Sequence, residues 1–321
     1  RGGPVIVGAH YDHWYTGFND NILGVAQAIE AFQSLRREGK TVVLTIFGAE
    51  EHGMPGTSSW YWAAGSREYA SLLSASKAVE DVELYINFDM AGLHCLKVSG
   101  APQYALKLVS LGAEWRCCEC PECDSIMMAW AGVPTLSLHG LWCGGAAEIY
   151  HTPADTPDRA SPATARRALR LAVMAALEGA DWRLLTYHLR EVLSSSGLRA
   201  RKLLYIIEAM ARRAGWGPLF RMMNQRLLST IHYGSLRWES RELEAIYMPE
   251  AAIYTRLARD MERGSPPLEV VEVGVRERTL YSVASSPRAP HTPFPSLAMQ
   301  HELLMKDLEA RVEEIQRELI T

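Results

Sequence analysis

Five residues of metal-binding types are spread along the first half of the chain, each in a short polar stretch near an apolar run. They are His10, Asp20, Glu51, Asp89 and His151. Two imidazoles and three carboxylates form the mixed nitrogen and oxygen set that zinc accepts at low coordination number. If one carboxylate bridged two ions, each ion would keep one further carboxylate, one imidazole and open positions for water and substrate. The residue types therefore indicate a two-metal hydrolytic site.

Such a site also needs a group that moves protons. A carboxylate outside the ligand set can accept a proton from the attacking water and deliver it to the leaving amine. Glu50 stands beside the ligand candidate Glu51 but would point elsewhere, so we predict that it is this general base. Asp12 lies two residues after His10, and we predict that it holds the other nitrogen of that imidazole.

The elements around these residues predict how they are brought together. Apolar runs rich in β-branched residues predict buried strands over 4–9, 41–47, 83–88 and 133–138. Helical spacing covers 22–37 and 101–111, and a further helix is predicted to open over 56–63. Strands that alternate with helices predict an α/β fold, a three-layer sandwich with a mostly parallel central sheet. In such sheets functional groups gather at the carboxyl ends of the strands, where the candidates stand.

After residue 162 the pattern becomes mainly helical. Helices are predicted over 163–185, 198–214, 218–232 and 239–263, and one strand-like run over 268–275. The segment 296–320 carries an apolar stripe made of Leu304, Leu308, Val312, Ile315 and Leu319. Such a short stripe is more typical of a helix that packs on its own domain than of a coiled coil. We predict a catalytic domain over 1–182 and a mainly helical domain over 183–321, through which a homodimer could form.

The overall charge argues against two classes of partner. The chain has a net charge of -4 and a pI of about 6.2. Nucleic acids and anionic membranes call for a concentrated basic face, so neither is expected to be a partner. No apolar run approaches the roughly 20 residues that a membrane helix requires.

Five stretches of the chain, in order, resemble the co-catalytic zinc exopeptidase family. They are GAHYDHW, NDNILGVA, FGAEEHGMPGTSSW, YINFDMAG and YHTPADT. This family includes leucyl-type aminopeptidases, glutamate carboxypeptidase and the transferrin receptor. The resemblance implies that Asp20 bridges two metals, with His10 and Asp89 on one side and Glu51 and His151 on the other.

The same resemblance assigns the remaining roles. Glu50 would be the general acid and base, and Asp12 would orient His10. Tyr150 matches a tyrosine that helps to stabilise the tetrahedral oxyanion in the glutamate carboxypeptidase branch, and the helical segment after the last ligand matches a dimerisation domain there. The implied cofactors are two Zn²⁺ ions, although Co²⁺ or Mn²⁺ could occupy such ligands.

The implied activity is hydrolysis of a terminal peptide bond. An aminopeptidase acting on peptides is expected first, and a carboxypeptidase like glutamate carboxypeptidase is the alternative within the class. No basic patch that would read an acidic C-terminal residue is evident, which weakens that alternative. A non-catalytic receptor or scaffold with the same fold is the alternative of another class. Relatives carry a further segment before the first motif, so we expect Arg1 to begin a fragment of the catalytic domain.

Several other residues have more than one interpretation. The cysteines at 95, 117, 118, 120, 123 and 143 could form one or two disulfides, hold structural zinc or stay reduced, and disulfides are favoured. Asp124 and Ser125 are candidates for a substrate pocket, whereas Met127, Met128 and Trp130 are more typical of a core. His13 and His52 are expected to be polar surface residues or to lie at the rim of the site. Asp155 and Asp158 are expected to belong to a loop and a helix N-terminus.

Overall fold

A computed structural model describes residues 3–51, 63–115, 120, 122–141, 143–195, 198–223, 306, 309–317 and 319. Its sheet has six strands: β1 (Val5–His10), β2 (Val42–Phe47), β3 (Leu84–Asp89), β4 (Lys97–Gly100), β5 (Glu114–Trp115) and β6 (Thr135–His139). Their order is β2-β1-β3-β6-β4-β5. Every neighbouring pair is parallel except β4 and β6, which are antiparallel. The predicted α/β fold with a mostly parallel sheet is confirmed.

Helices lie on both faces of this sheet and continue beyond it. They are α1 (Leu23–Arg37), α2 (Ala64–Ala75), α3 (Pro102–Val109), α4 (Ser125–Ala131), α5 (Ala146–Ile149), α6 (Pro162–Glu178), α7 (Trp182–Ser195), α8 (Leu198–Ala214) and α9 (Trp216–Met223). Shorter turns of helix cover Phe18–Ile22, Ala78–Asp81 and Pro157–Arg159.

Side chains of alternate residues along each strand fill two separate apolar layers. In β1, Val5 and Val7 join a core with helices α1, α3 and α6, whereas Ile6 joins a second core with α2 and α4. This alternation is the period of two of a β-strand. Because both faces are covered, the molecule has the three layers that the sequence predicted.

Several features of the fold differ from the sequence prediction, including one helix and two strands. The single helix predicted over 163–185 is two helices, because Gly179 adopts a left-handed φ of 71° and ends α6. Asp181 then starts α7 by accepting the N–H of Arg183. Strands β4 and β5 were also missed, since β4 is short and carries Lys97 and Ser99, and β5 has two residues.

The helices after residue 181 share an apolar core of their own. Leu189 from α7 and Ile207 from α8 pack there with Val312 and Ile315 from the C-terminal stripe. The described stripe residues Val312, Ile315 and Leu319 therefore pack within the chain, as predicted, whereas Leu304 and Leu308 lie outside the described residues. The predicted helix over 239–263, the run 268–275 and the end of the helix 218–232 lie outside the described residues. No helix among the described residues is long and apolar enough to span a membrane.

Candidate metal centre

Two of the candidate ligands are the last residues of neighbouring parallel strands. His10 ends β1 and Asp89 ends β3, and the strands pair in register from Val5 with Leu84 to Gly8 with Asn87. The two side chains therefore leave the same face of the sheet side by side. Nε2 of His10 lies 3.8 Å from Oδ2 of Asp89. Both residues are almost fully buried.

Asp20 lies between two imidazoles. Its Oδ1 is 3.5 Å from Nε2 of His10, and its Oδ2 is 3.6 Å from Nε2 of His151. It sits in the turn between β1 and α1, where its own φ of -119° and ψ of 82° are not helical. The peptide bond that follows it, to Asn21, is cis. Because each oxygen faces a different imidazole, this carboxylate has the orientation of a bridging ligand.

The second half of the centre comes from two loops. Glu51 follows β2, and its Oε2 lies 2.6 Å from Nε2 of His151. The ligand atoms form two groups, each with all atoms within 4.8 Å of one another. One group contains His10, Asp20 and Asp89, and the other contains Asp20, Glu51 and His151. The two groups share Asp20, so the structure brings all five predicted ligands together around one bridging position.

Two carboxylate oxygens of the centre have no hydrogen-bond donor, which favours a bound cation beside them. Oδ2 of Asp20 and Oε1 of Glu51 are buried and accept no hydrogen bond from the described residues. A buried oxygen without a donor costs about 1–3 kcal/mol, and more when it is charged. A divalent cation would offset this cost for both carboxylates at once. The set of two imidazoles and three carboxylates matches zinc.

The pKa shifts at the centre reflect several buried carboxylates that lie close together. Burial and the neighbouring Asp20 carboxylate raise the pKa of Glu51 well above its usual value. Burial also raises the pKa of Asp89, although His10 opposes the shift. The burial of His10 would lower its pKa, but Glu50, Asp20 and Asp89 more than reverse this and raise it. Without a metal, Glu51, Asp89 and His10 therefore hold protons more readily, at the position where a cation would bind.

Glu50 is close to the ligands without joining either group that contains Asp20. It is 7% exposed, and one of its carboxylate oxygens lies within 4.8 Å of ligand atoms of His10 and Glu51. Burial raises its pKa well above the usual range, and the carboxylates of Glu51, Asp124 and Asp89 add to the shift, whereas His10 opposes it. A carboxylate with a raised pKa beside a metal site is suited to accepting and returning a proton.

The geometry of Asp12 differs from the prediction in one respect. Nδ1 of His10 donates to the backbone carbonyl of Asp12 at 3.0 Å, whereas the Asp12 carboxylate lies 3.8 Å away. The carboxylate instead accepts the backbone N–H groups of Glu50 and Glu51, at 3.1 and 3.0 Å. Asp12 thus contacts His10 through its backbone and fixes the loop after β2 through its side chain.

Asp155 is the residue at this site that the sequence interpretation missed. It was expected in a loop and a helix N-terminus, yet it is 1% exposed and contacts the turn that carries Asp20. Its carboxylate accepts the backbone N–H groups of Asn19 and Asp20, both at 2.9 Å. Its place in the YHTPADT stretch, four residues after His151, was the available signal. Asp158 is exposed and accepts the hydroxyl of Thr156.

Aromatic side chains surround His151. The ring of Tyr150 stacks on its imidazole at 3.7 Å between centroids, and Trp14 lies 5.9 Å away. This contact keeps Tyr150 beside the ligand, where the resemblance expects an oxyanion-stabilising group. His13 is half-buried nearby, and His52 lies outside the described residues.

Three of the six non-glycine residues with a positive φ in the described part of the chain lie at or next to the candidate ligands or Glu50. Ala49, Met90 and His151 have φ values of 56°, 49° and 55°, in the left-handed region that non-glycine residues rarely adopt. Ala49 precedes Glu50, and Met90 follows Asp89. Such conformations cost about 1–3 kcal/mol each and persist where the surrounding structure enforces them, which is common at functional sites.

The other residues singled out in the sequence fall into three sets. Asp124 and Ser125, the candidates for a substrate pocket, are fully buried, and burial raises the pKa of Asp124 to about 7, although His10 opposes the shift. Met127 and Met128 belong to the core with α2, as expected, and the side chain of Trp130 lies outside the described part. Disulfides join Cys95 to Cys143 and Cys120 to Cys123, whereas Cys117 and Cys118 lie outside the described residues.

Comparison with known proteins supports the family resemblance over part of the chain. Residues 2–97 match the model of peptidase family M28, and this segment contains His10, Asp20, Glu51 and Asp89. The match confirms the resemblance to the zinc exopeptidases that the motifs predicted. No curated protein matches the chain.

Three solved structures are similar to part of the chain. BSAP, a zinc aminopeptidase from Bacillus subtilis, is 22% identical over 56% of this chain and 47% of its own, with a TM-score of 0.43. An aminopeptidase from Aneurinibacillus sp. strain AM-1 is 21% identical over 56% and 44%, also with a TM-score of 0.43. An Acidobacteriales bacterium glutaminyl cyclase is 21% identical over 55% and 69%, with a TM-score of 0.46. The chain thus spans about half the length of the two aminopeptidases.

Proposed function

We propose that this chain carries the catalytic centre of a zinc-dependent peptidase that hydrolyses a terminal peptide bond. The observation that carries the proposal is the position of Asp20, with one oxygen facing His10 and the other facing His151. That arrangement suits two ions, one held by His10, Asp20 and Asp89, the other by Asp20, Glu51 and His151. When bound, such ions lower the pKa of water and polarise a substrate carbonyl.

The residues of the chain have separate tasks in this proposal. Glu50 accepts a proton from the attacking water and returns it to the amine of the leaving group, a role that suits its burial and raised pKa. Asp12 holds the backbone of Glu50 in place through its carboxylate. Tyr150, stacked on His151, stabilises the oxyanion that forms from the carbonyl.

Within this class we propose an aminopeptidase. Its supports are the match to peptidase family M28 and the motif set that the chain shares with leucyl-type aminopeptidases. The alternatives are a carboxypeptidase and a non-catalytic protein of the same fold. We further propose the division into a catalytic part over 1–182 and a helical part over 183–321, since the described helices after residue 181 have their own core.

The test combines metal content with a substrate panel on the full chain. Metal is measured by elemental analysis after dialysis against zinc. Hydrolysis is followed for aminoacyl-nitroanilides and for peptides blocked at the amino terminus, and cyclisation for peptides with an N-terminal glutamine. About two zinc ions per chain, with nitroanilide hydrolysis that a chelator abolishes, is the expected result.

Each other outcome rejects a different part of the proposal. Turnover of only the blocked peptides would replace the aminopeptidase with a carboxypeptidase. Cyclisation without hydrolysis would replace the peptidase with a cyclase like those among the solved structures. A chain that binds no zinc would contradict the metal centre and favour the non-catalytic alternative.

A further inference from the structure

We infer that Asp155 is a positioning residue that sets the bridging carboxylate of Asp20 for metal binding. This inference rests on the proposed function. Asp155 itself would touch neither metal nor substrate. It acts on the turn that carries Asp20, and its effect is therefore expected in the affinity of the centre for zinc.

The contact is made by both oxygens of the Asp155 carboxylate. Oδ1 accepts the backbone N–H of Asn19 at 2.9 Å and the side-chain amide of Asn19 at 2.7 Å. Oδ2 accepts the backbone N–H of Asp20 at 2.9 Å. Asp155 is 1% exposed, and Asn19 is fully buried, so water does not compete for these bonds. Hydrogen bonds to a buried carboxylate are among the stronger ones in proteins.

Further hydrogen bonds around this carboxylate join two segments that are far apart in the sequence. The N–H of Phe18 donates to the carbonyl of Asp155 at 3.3 Å, and the amide of Asn19 also donates to the carbonyl of Thr156 at 3.3 Å. Asp155 follows the ligand His151 by four residues and closes its turn by donating to the carbonyl of Thr152. These hydrogen bonds therefore hold the loop that follows His151 against the turn that carries Asp20.

The turn at Asp20 needs such a restraint. Asp20 and Asn21 have non-helical backbone angles inside a single turn, so helical hydrogen bonding does not fix the direction of the Asp20 side chain. Each oxygen of Asp20 must still face a different imidazole, at 3.5 and 3.6 Å. A small rotation of this turn would misplace a ligand in both groups of candidate ligands, because both groups share Asp20.

The same pattern of hydrogen bonds is found at a second loop that carries a candidate ligand. The two oxygens of Asp12 accept the consecutive backbone N–H groups of Glu50 and Glu51, just as those of Asp155 accept Asn19 and Asp20. In each pair the second residue is a predicted ligand. Two independent loops held in the same way favour a role in placing ligands over a role in general packing.

The experiment compares zinc affinity in Asp155→Asn and in Asp158→Asn. The amide of asparagine keeps one acceptor and turns its NH₂ group toward a backbone N–H, so one buried donor loses its partner. Asp158 is a matched control three residues further along the chain, because it is exposed and accepts the hydroxyl of Thr156. Zinc binding to each metal-free chain is measured by competition with a chelator, and the unfolding temperature of each metal-free chain is recorded.

The expected result is zinc affinity about 10- to 100-fold weaker in Asp155→Asn, the range typical of residues that hold metal ligands. Asp158→Asn should bind zinc like the wild type. Cobalt bound to Asp155→Asn should give an altered visible absorption spectrum, since the geometry of the ligands changes. A lower unfolding temperature with unchanged zinc affinity and spectrum would overturn the inference and leave Asp155 a structural residue.

A milder variant covers the case in which Asp155→Asn does not fold. Asn19→Ala removes the side-chain donor and leaves both backbone bonds to Asp155. It should weaken zinc binding by less than Asp155→Asn, and wild-type affinity in a folded Asn19→Ala chain would overturn the inference. If the wild type binds no zinc, the proposed function fails as well. If the wild type binds zinc and the variants match it, only the positioning role fails.

Discussion

At the scale of single residues, the neighbouring carboxylates of Glu50 and Glu51 have different surroundings, and the roles proposed for them differ accordingly. Glu50 and Glu51 are adjacent, both buried, and both have backbone N–H groups held by Asp12. Glu51 contacts His151 at 2.6 Å, whereas Glu50 lies outside both groups that share Asp20. A ligand and a proton carrier can therefore occupy consecutive positions.

This difference gives the first prediction. Glu50→Gln keeps the shape of the side chain but removes its ability to accept a proton. Peptide hydrolysis should fall by about 10²- to 10⁴-fold, the usual contribution of a general base. Zinc content should stay that of the wild type, as measured by elemental analysis.

The same substitution at the neighbouring position is the control. Glu51→Gln removes a proposed ligand, so zinc content and hydrolysis should both fall. If Glu50→Gln hydrolysed peptides like the wild type, the assignment of the base would be wrong. If it lost zinc as Glu51→Gln does, Glu50 would have to be counted as a ligand.

At the scale of elements, the ligand loops are held together by bonds between segments far apart in the sequence. Cys95 follows β3, Cys143 follows β6, and their disulfide spans 48 positions. It links the loop after Asp89 to the loop that leads to His151. Met90, Leu141 and Ile149 pack around it in a small apolar cluster. A covalent link therefore joins the loops that follow β3 and β6.

The disulfides give the second prediction. Replacing Cys95 and Cys143 by serine frees a loop of about 48 residues in the unfolded chain, which costs about 4 kcal/mol of stability in the chain-entropy description. The same double change at Cys120 and Cys123, which are three positions apart, should cost about 2 kcal/mol. Denaturant unfolding of the metal-free chains measures both. Equal losses in the two double variants would contradict the loop-length argument.

Helix α7 meets the edge of the sheet through a buried histidine. His188 lies edge-on to Trp115 of β5, with 5.5 Å between ring centroids. Burial lowers the pKa of His188 to about 4, although Glu191 opposes the shift. The folded chain therefore keeps this imidazole neutral at pH values where the unfolded chain protonates it.

The third prediction follows from this shift. Between about pH 6.5 and 4 the unfolded chain binds more protons at this residue than the folded chain, so stability is lost as the pH falls. The loss from His188 should approach roughly 3 kcal/mol at the acidic end. Unfolding free energies of the wild type and of His188→Gln, measured at several pH values, should differ in slope within this window and run parallel above it. Parallel curves throughout would contradict the shift.

At the scale of the whole molecule, the described residues form an α/β sandwich and a helical cluster with separate cores. One core of the sandwich contains residues of the sheet, α2 and α4, whereas Ile207 and Ile315 belong to the helical cluster. No residue is common to the two cores among those described. A defect in the helical cluster should therefore leave the metal centre intact.

Ile315→Ala tests this separation and is the fourth prediction. Ile315 is fully buried, so its truncation should destabilise the helical cluster by about 2–5 kcal/mol. Zinc content should not change. Glu313→Ala, an exposed position on the same helix, should alter stability by less than about 0.5 kcal/mol. Loss of zinc in Ile315→Ala alone would show that the two parts depend on each other.

A homodimer through the helical half stays a prediction. Val312 and Ile315 are buried within the chain, so these stripe residues are not available to a second copy. Another helical surface would have to supply the contact. Analytical ultracentrifugation that showed only monomers at high concentration would rule the dimer out.

The sequence by itself determined the type of fold and the candidate ligands. Strands β1, β2, β3 and β6 and helices α1, α3 and α8 were predicted within a few residues, because apolar periodicity is a local signal. Three of the five ligand candidates, His10, Glu51 and Asp89, stand at or shortly after the ends of strands, and parallel strands align their carboxyl ends.

Only the tertiary structure decided which groups hold the ligands in place. The contact from Asp155 to Asn19 spans 136 positions, and no local pattern carries a hydrogen bond over that distance. The pairing of Cys95 with Cys143 is of the same kind. So is the contact of the Asp12 carboxylate with the backbone of Glu50. Such choices depend on which loops the sheet brings together, since a side chain selects its partner by geometry in the folded state.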